Sequence, residues 1–280
     1  MKANGGAKTG TIRDALWIWG QEAGCFHRHR DNCWNLPGMS RMTPAEGAFY
    51  MGIPNIMIVR FANQPMPPFR PYAIPLRPLK RIVWSIIGDS SSQDNDRQPD
   101  VQEVIALAED FPNLTGGIMD DFFRNDPAAP GRFTAEQVEG FRRQLHSARR
   151  PLDLYVVVYS RNLALPIGKH LDAVDVITFW TWQAKGLEAL ESDFRRLEEL
   201  SPQKRKVLGL YMWDFGAGAP MPMAAMEHQC RLGLEWLRTG RVEGLIFLAS
   251  CIADLELDAV EYARRLIAQV GDEPLTHTRS

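Results

Sequence analysis

Eight times along this chain a run of six or seven apolar, β-branched or aromatic residues is followed by a longer amphipathic or irregular stretch, and that alternation restricts the fold more than any other feature. The runs occupy 15–20 (ALWIWG), 55–61 (NIMIVRF), 82–88 (IVWSIIG), 116–122 (GGIMDDF), 154–160 (LYVVVYS), 176–182 (VITFWTW), 207–213 (VLGLYMW) and 244–250 (GLIFLAS). Near-continuous apolar runs of this length suit a parallel sheet buried on both faces, because the crossover helices cover it from outside. Helical periodicity, with apolar residues three and four apart, fills the gaps at 43–51, 100–110, 134–148, 186–200, 221–237 and 257–270. Thr43 precedes Pro44 as an N-cap before a first-turn proline, and Thr134 with Gln137 forms a capping-box pattern. One gap differs. Residues 63–79 carry Pro65, Pro67, Pro68, Pro71, Pro75 and Pro78, which exclude a long helix and predict an extended, proline-stiffened connection.

Two architectures use such alternation, an open doubly wound sheet and a closed barrel. The first unit has no GxGxxG entrance, and 280 residues match the roughly 250 of an eight-stranded barrel. The expected fold is therefore α/β, a single-domain (β/α)8 TIM barrel over 1–280, with loose ends at 1–13 and 272–280 and a proline-rich connection at 63–80.

The charge balance narrows the function classes. A net charge of −2, with basic residues scattered along helices, lacks the basic stripe of a nucleic-acid binder. No apolar window approaches the roughly 20 residues needed to cross a bilayer, so no membrane partner is expected. The opening MKANGGAKTG has no apolar stretch, so the chain as written reads as cytoplasmic, or as secreted or periplasmic if a leader has been removed. Cys25, Cys33, Cys230 and Cys251 show no CxxC spacing and read as free or buried thiols, with room for one bridge between Cys25 and Cys33.

Barrel enzymes work at the C-terminal ends of their strands. The residues there are Trp19, Glu22, Arg60, Trp84, Asp89, Asp120, Asp121, Tyr159 and Arg161, followed by Trp180, Trp182, Gln183, Trp213, Asp214 and Asp254. Indoles beside carboxylates and amides suit a sugar, whose C–H faces are apolar and whose hydroxyls need partners at the edge. The competing use of each strand tryptophan is to fill the barrel. Alternation lets either Trp180 with Trp182 or Thr181 with Gln183 face the mouth. By the same rule Asp120 and Asp121 face opposite ways, so neither is expected to pair with the other.

GGIMDDFF resembles the fourth-strand signature DxxDxDxE of the chitinase-like glycoside hydrolases, which are (β/α)8 barrels. Asp121 falls on the last aspartate; Gly116 and Met119 replace the earlier ones, and Phe123 stands where the proton-donating glutamate would be. VDVITFWTWQ and KVLGLYMWDFG resemble that family's sixth and seventh strands, so the likeness runs from about 114 to 255. It implies the fold and a carbohydrate bias.

The expectation is a glycosidase acting on a small sugar or oligosaccharide without cofactor or metal, using two carboxyl groups about 5 Å or roughly 6.5–9.5 Å apart. Asp121 is expected to pair with Asp214 or Glu22, with Asp120 as a further candidate. Trp19, Arg60, Trp84, Tyr159, Arg161, Trp180, Trp182, Gln183 and Trp213 are expected to hold the substrate. Two alternatives stand beside it. A barrel without its proton donor would bind glycans and not cut them; and His27 and His29, with Asp254, suggest a metal-dependent amidohydrolase, though later strands supply no further histidines.

Overall fold

The computed structural model describes residues 10–275, and the eight strands close into one parallel barrel. They are β1 (Leu16–Gly20), β2 (Asn55–Ile58), β3 (Arg81–Ile87), β4 (Leu114–Met119), β5 (Asp153–Tyr159), β6 (Val176–Trp180), β7 (Arg205–Tyr211) and β8 (Gly244–Leu248). Each pairs with the next, and β8 closes the ring by pairing with both β7 and β1. Strand residues are almost all buried, as expected where side chains fill the barrel on one face and meet helices on the other.

The outer layer is made of α1 (Pro44–Met51), α2 (Val101–Asp110), α3 (Ala135–His146), α4 (Leu190–Leu200), α5 (Met223–Thr239) and α6 (Asp258–Val270). Two start as their sequences demand. Thr43 and Glu46 form a reciprocal capping box at α1, and Thr134 and Gln137 form one at α3. The proline-rich connection has no long helix, but it is not extended: it folds into short helical turns at Arg70–Ala73 and Ile74–Leu76. Pro71 and Pro75 sit in the first turns, where proline's fixed φ already suits a helix and its missing N–H has no partner to lose. At the chain ends, expected to be loose, Gly10–Thr11 pairs with Pro274–Leu275 in a two-stranded sheet; 1–9 and 276–280 lie outside the described residues.

The two barrel ends are built differently. At the N-terminal end, the Arg81 guanidinium lies 4.4 Å from the Trp17 ring and donates to Asn55 Oδ1 at 3.1 Å and to the Asp14 carbonyl. Towards the other end Trp180 crosses the barrel interior and meets Trp19 edge-on, ring centres 5.1 Å apart. Gly209 on β7 makes that crossing feasible, since a Cβ there would lie only 2.0 Å from the Trp180 ring.

Candidate functional site

Above the Trp19–Trp180 floor, the C-terminal mouth opens into a bowl enclosing about 1050 Å³ of space continuous with solvent. One wall is acidic. Asp89 follows β3, and Asp120 and Asp121 follow β4 directly after the ladder ends at Met119. Asp121 has φ 41°, a left-handed conformation that aspartate tolerates better than most residues, and the strand alternation stops there. Both carboxyl groups of the pair therefore line the bowl, contrary to the sequence expectation that they would face opposite ways.

Their surroundings differ. Asp121 accepts from the Tyr159 hydroxyl at 2.8 Å with one oxygen and from the Ser90 amide at 3.1 Å with the other. Asp120 accepts the Asp121 amide at 2.8 Å, and burial, aided by the charges of Asp121 and Asp89, pushes its carboxyl well above the ordinary range. Burial also raises Asp89, although the Ser91 and Ser92 hydroxyls donate to it at 2.6 and 2.8 Å and oppose that shift. Tyr159 and Tyr211 are held protonated by burial, with the neighbouring aspartates adding to the effect.

The facing wall is aromatic. Trp182 lies against Phe215 with ring centres 5.9 Å apart and meets Tyr211 and Tyr159 edge-on. Trp34, carried on the loop after β1, packs against Phe215 and Phe26 and stacks on His29 at 5.2 Å. The β6 alternation is thus resolved in favour of Trp180 and Trp182, which line the bowl, while Thr181 is buried away from it.

Of the sequence candidates, Trp19, Asp89, Asp120, Asp121, Tyr159, Arg161, Trp180 and Trp182 come together here. The others do not line the bowl, and each is held elsewhere by a visible partner. Asp214 accepts the Ala184 amide at 3.2 Å and the Ala217 amide at 3.1 Å, joining the loops after β6 and β7. Glu22 faces Arg28 at 3.7 Å. Neither therefore stands opposite Asp121 as expected. Arg60 is buried and ion-paired to Asp100 at 2.6 Å. Trp84 packs on Phe69 of the proline-rich connection, on the outer face of β3. Gln183 is pressed against Gly216, where a Cβ would come within 2.1 Å of its side chain. Trp213 lies beyond the end of β7 and donates its indole N–H to the Trp34 carbonyl at 3.0 Å.

Residues that strand-end reading missed explain the rest of the bowl. Tyr211 is the true last residue of β7, two positions before the predicted end, while Ser90, Trp34, Phe61 and Phe215 arrive from loops. Phe61, the last residue of the second apolar run, and Tyr211, near the end of the seventh, offered a usable signal; Ser90, Trp34 and Phe215 had none in local pattern.

The histidines part company. His29 lines the bowl, and its ring is held below the usual histidine range by burial and then by Arg30. His27 is buried outside the bowl lining, and neither of its ring nitrogens has a hydrogen-bond partner. Among the described residues no group of three or more His, Cys, Asp or Glu is arranged to hold a metal ion. All four cysteines are free, so Cys25 and Cys33 are not bridged.

Neither a protein-family model nor a curated protein matches the sequence. Solved structures do match the fold. A Bacteroides thetaiotaomicron protein assigned as an α-L-fucosidase superposes with TM-score 0.57 at 11% identity, covering 96% of this chain and 95% of that one. The catalytic domain of a hyperthermophilic chitinase from Pyrococcus furiosus gives 0.56 at 12%, with 92% and 96% covered. AbfB, a family 51 α-L-arabinofuranosidase from Bifidobacterium longum, gives 0.56 at 10%, with 96% and 75% covered. No described helix is long and apolar enough to cross a membrane. The chain is a single-domain (β/α)8 barrel whose fold resembles those of several glycoside hydrolase families, chitinase among them.

Proposed function

We propose that the protein is a glycoside hydrolase whose acid and base are the adjacent aspartates after β4. The observation that carries this reading is the pair itself: Asp120 and Asp121 share one wall of an aromatic bowl while their environments differ. A carboxyl group kept protonated by burial suits proton donation to a leaving oxygen. Asp121, accepting hydrogen bonds at both oxygens, is oriented as an acceptor and carries negative charge towards the sugar. In this scheme Asp120 protonates the glycosidic oxygen as the bond to the anomeric carbon breaks. Asp121 stabilises the positive charge that develops on the ring and, as base, takes a proton from the water whose oxygen bonds to the anomeric carbon; return of that proton to Asp120 resets the pair. Asp89, on the neighbouring strand end, keeps the wall acidic and helps hold the proton on Asp120. Trp182 and Phe215 offer the apolar surface that a sugar's C–H face requires.

The barrel likeness to glycosidases supports the reading at the level of fold alone. A panel of 4-nitrophenyl glycosides, assayed beside titration calorimetry with oligosaccharides, tests it. Nitrophenol release that vanishes in Asp120→Asn is the expected result. Heat of binding without product would leave a glycan-binding barrel, and neither heat nor product with any sugar would remove the carbohydrate reading.

A further inference from the structure

The positive charges at the bowl are arranged in a way a neutral sugar would not need. Arg161 follows β5 and lies exposed with its guanidinium carbon 4.0 Å from the Tyr159 ring centre. That contact holds the cation over the ring of the same tyrosine whose hydroxyl engages Asp121. Arg161 stands where two spaces meet, the bowl and a side chamber of about 550 Å³ that also takes in Arg124, Arg132, Asp96 and Phe123. Asp96 answers the other two arginines, at 2.8 Å to Arg132 and 3.9 Å to Arg124. Arg132 is further occupied by the Gly88 and Ser92 carbonyls at 2.6 and 3.2 Å. Asp121 already accepts from Tyr159 and Ser90. Among the described residues Arg161 has no carboxylate within 4.0 Å, and neither has Arg30, exposed on the bowl's lining.

A guanidinium held over an aromatic ring loses little freedom when it binds, and its planar fork matches two anionic oxygens. We propose that the glycan accepted by the bowl is acidic, with a carboxylate or sulfate group received by Arg161 at the entrance to the side chamber, beside Asp121. The inference rests on the carbohydrate reading above. A neutral glycan would leave this guanidinium with no anionic group within 4.0 Å. An acidic one supplies it and places its ring between Arg161 and the Trp182 face.

Calorimetry with matched pairs of oligosaccharides tests the proposal. Oligogalacturonides are compared with their carboxyl-reduced forms, chondroitin sulfate tetrasaccharides with their desulfated forms, and chito-, manno- and cello-tetraose stand as neutral references. The expected result is that the acidic member of at least one pair binds about tenfold or more tightly than its neutral partner. The pair that responds identifies carboxylate or sulfate. Arg161→Gln collapses that ratio towards one, and Arg161→Lys, which keeps the charge but loses the fork, gives an intermediate ratio. Arg195→Gln, on the outer surface of α4, leaves it unchanged. Melting temperature confirms that each variant is folded. Neutral glycans binding as well as acidic ones, or a preference that survives Arg161→Gln, would overturn the acidic substrate while leaving the carbohydrate reading in place. Absence of binding by every glycan would overturn both.

Discussion

The two ends of the barrel both enclose carboxyl groups and treat them in opposite ways. At the N-terminal end two partly exposed carboxylates each meet a cation: Asp153 meets Arg205 at 2.5 Å, and Asp14 meets Lys80 at 2.5 Å. Lys80 accordingly holds the Asp14 carboxyl below its ordinary range. At the C-terminal mouth Asp89 and Asp120 are held above theirs by burial and mutual repulsion, and among the described residues neither has an ion-pair partner. Neutralised charges add to stability or leave it unchanged, whereas a cluster of like charges detracts from it. A fold that neutralises one end and leaves the other frustrated places its reactive capacity at the frustrated end.

That contrast can be broken from either side. The largest effect is expected at the mouth, where Asp120→Asn should lower turnover of any glycoside substrate by about 10²–10⁴-fold, the range of a lost general acid. The same substitution should stabilise the protein at neutral pH. Because the folded state raises the Asp120 pKa above its ordinary 3.8, the native protein holds that proton more tightly than the unfolded chain. Its stabilising contribution is full below the unfolded value and is lost as pH rises through the folded one. Asn carries no such dependence, so urea midpoints of the variant and wild type should diverge in the variant's favour as pH rises from 4 to 8. A constant difference across that window would contradict the frustrated mouth.

At the opposite end, Arg81→Ala removes the donor to Asn55 and to the Asp14 carbonyl and exposes Trp17. A loss of about 2–3 kcal/mol in urea unfolding is expected, with turnover per folded molecule unchanged. Gly209→Ala joins the two ends, since its Cβ would collide with Trp180 under the bowl. Overpacking of this kind should destabilise by about 1–3 kcal/mol and shift the tryptophan fluorescence. The smallest effect belongs to Tyr159→Phe, which deletes the hydroxyl donor to Asp121. A loss of about 1 kcal/mol in transition-state stabilisation, roughly fivefold in kcat/KM, should accompany a displaced pH profile. An unaltered profile would show that Tyr159 does not position that carboxylate.

Much of this architecture was written in local pattern. Eight apolar runs gave eight strands because burial on both faces leaves no room for polar alternation, and the Thr43–Glu46 and Thr134–Gln137 boxes marked helix starts because they satisfy amides within one turn. The same pattern identified Asp121, Tyr159 and Trp182 as strand-end residues, and those do gather in the bowl. What only the tertiary structure decided was orientation after each ladder ends. The φ of 41° at Asp121 brings its carboxyl group onto the same wall as that of Asp120, while the amides of Ala184 and Ala217 draw Asp214 into a loop staple. Strand alternation is enforced by hydrogen bonds to neighbouring strands, and once those stop the backbone is free to follow contacts made by segments distant in sequence. Trp34 and Phe215, more than 180 residues apart, become one wall for that reason. A chain's periodicity specifies where a barrel will close; which side chains face its mouth is settled by loops that meet only after it has closed.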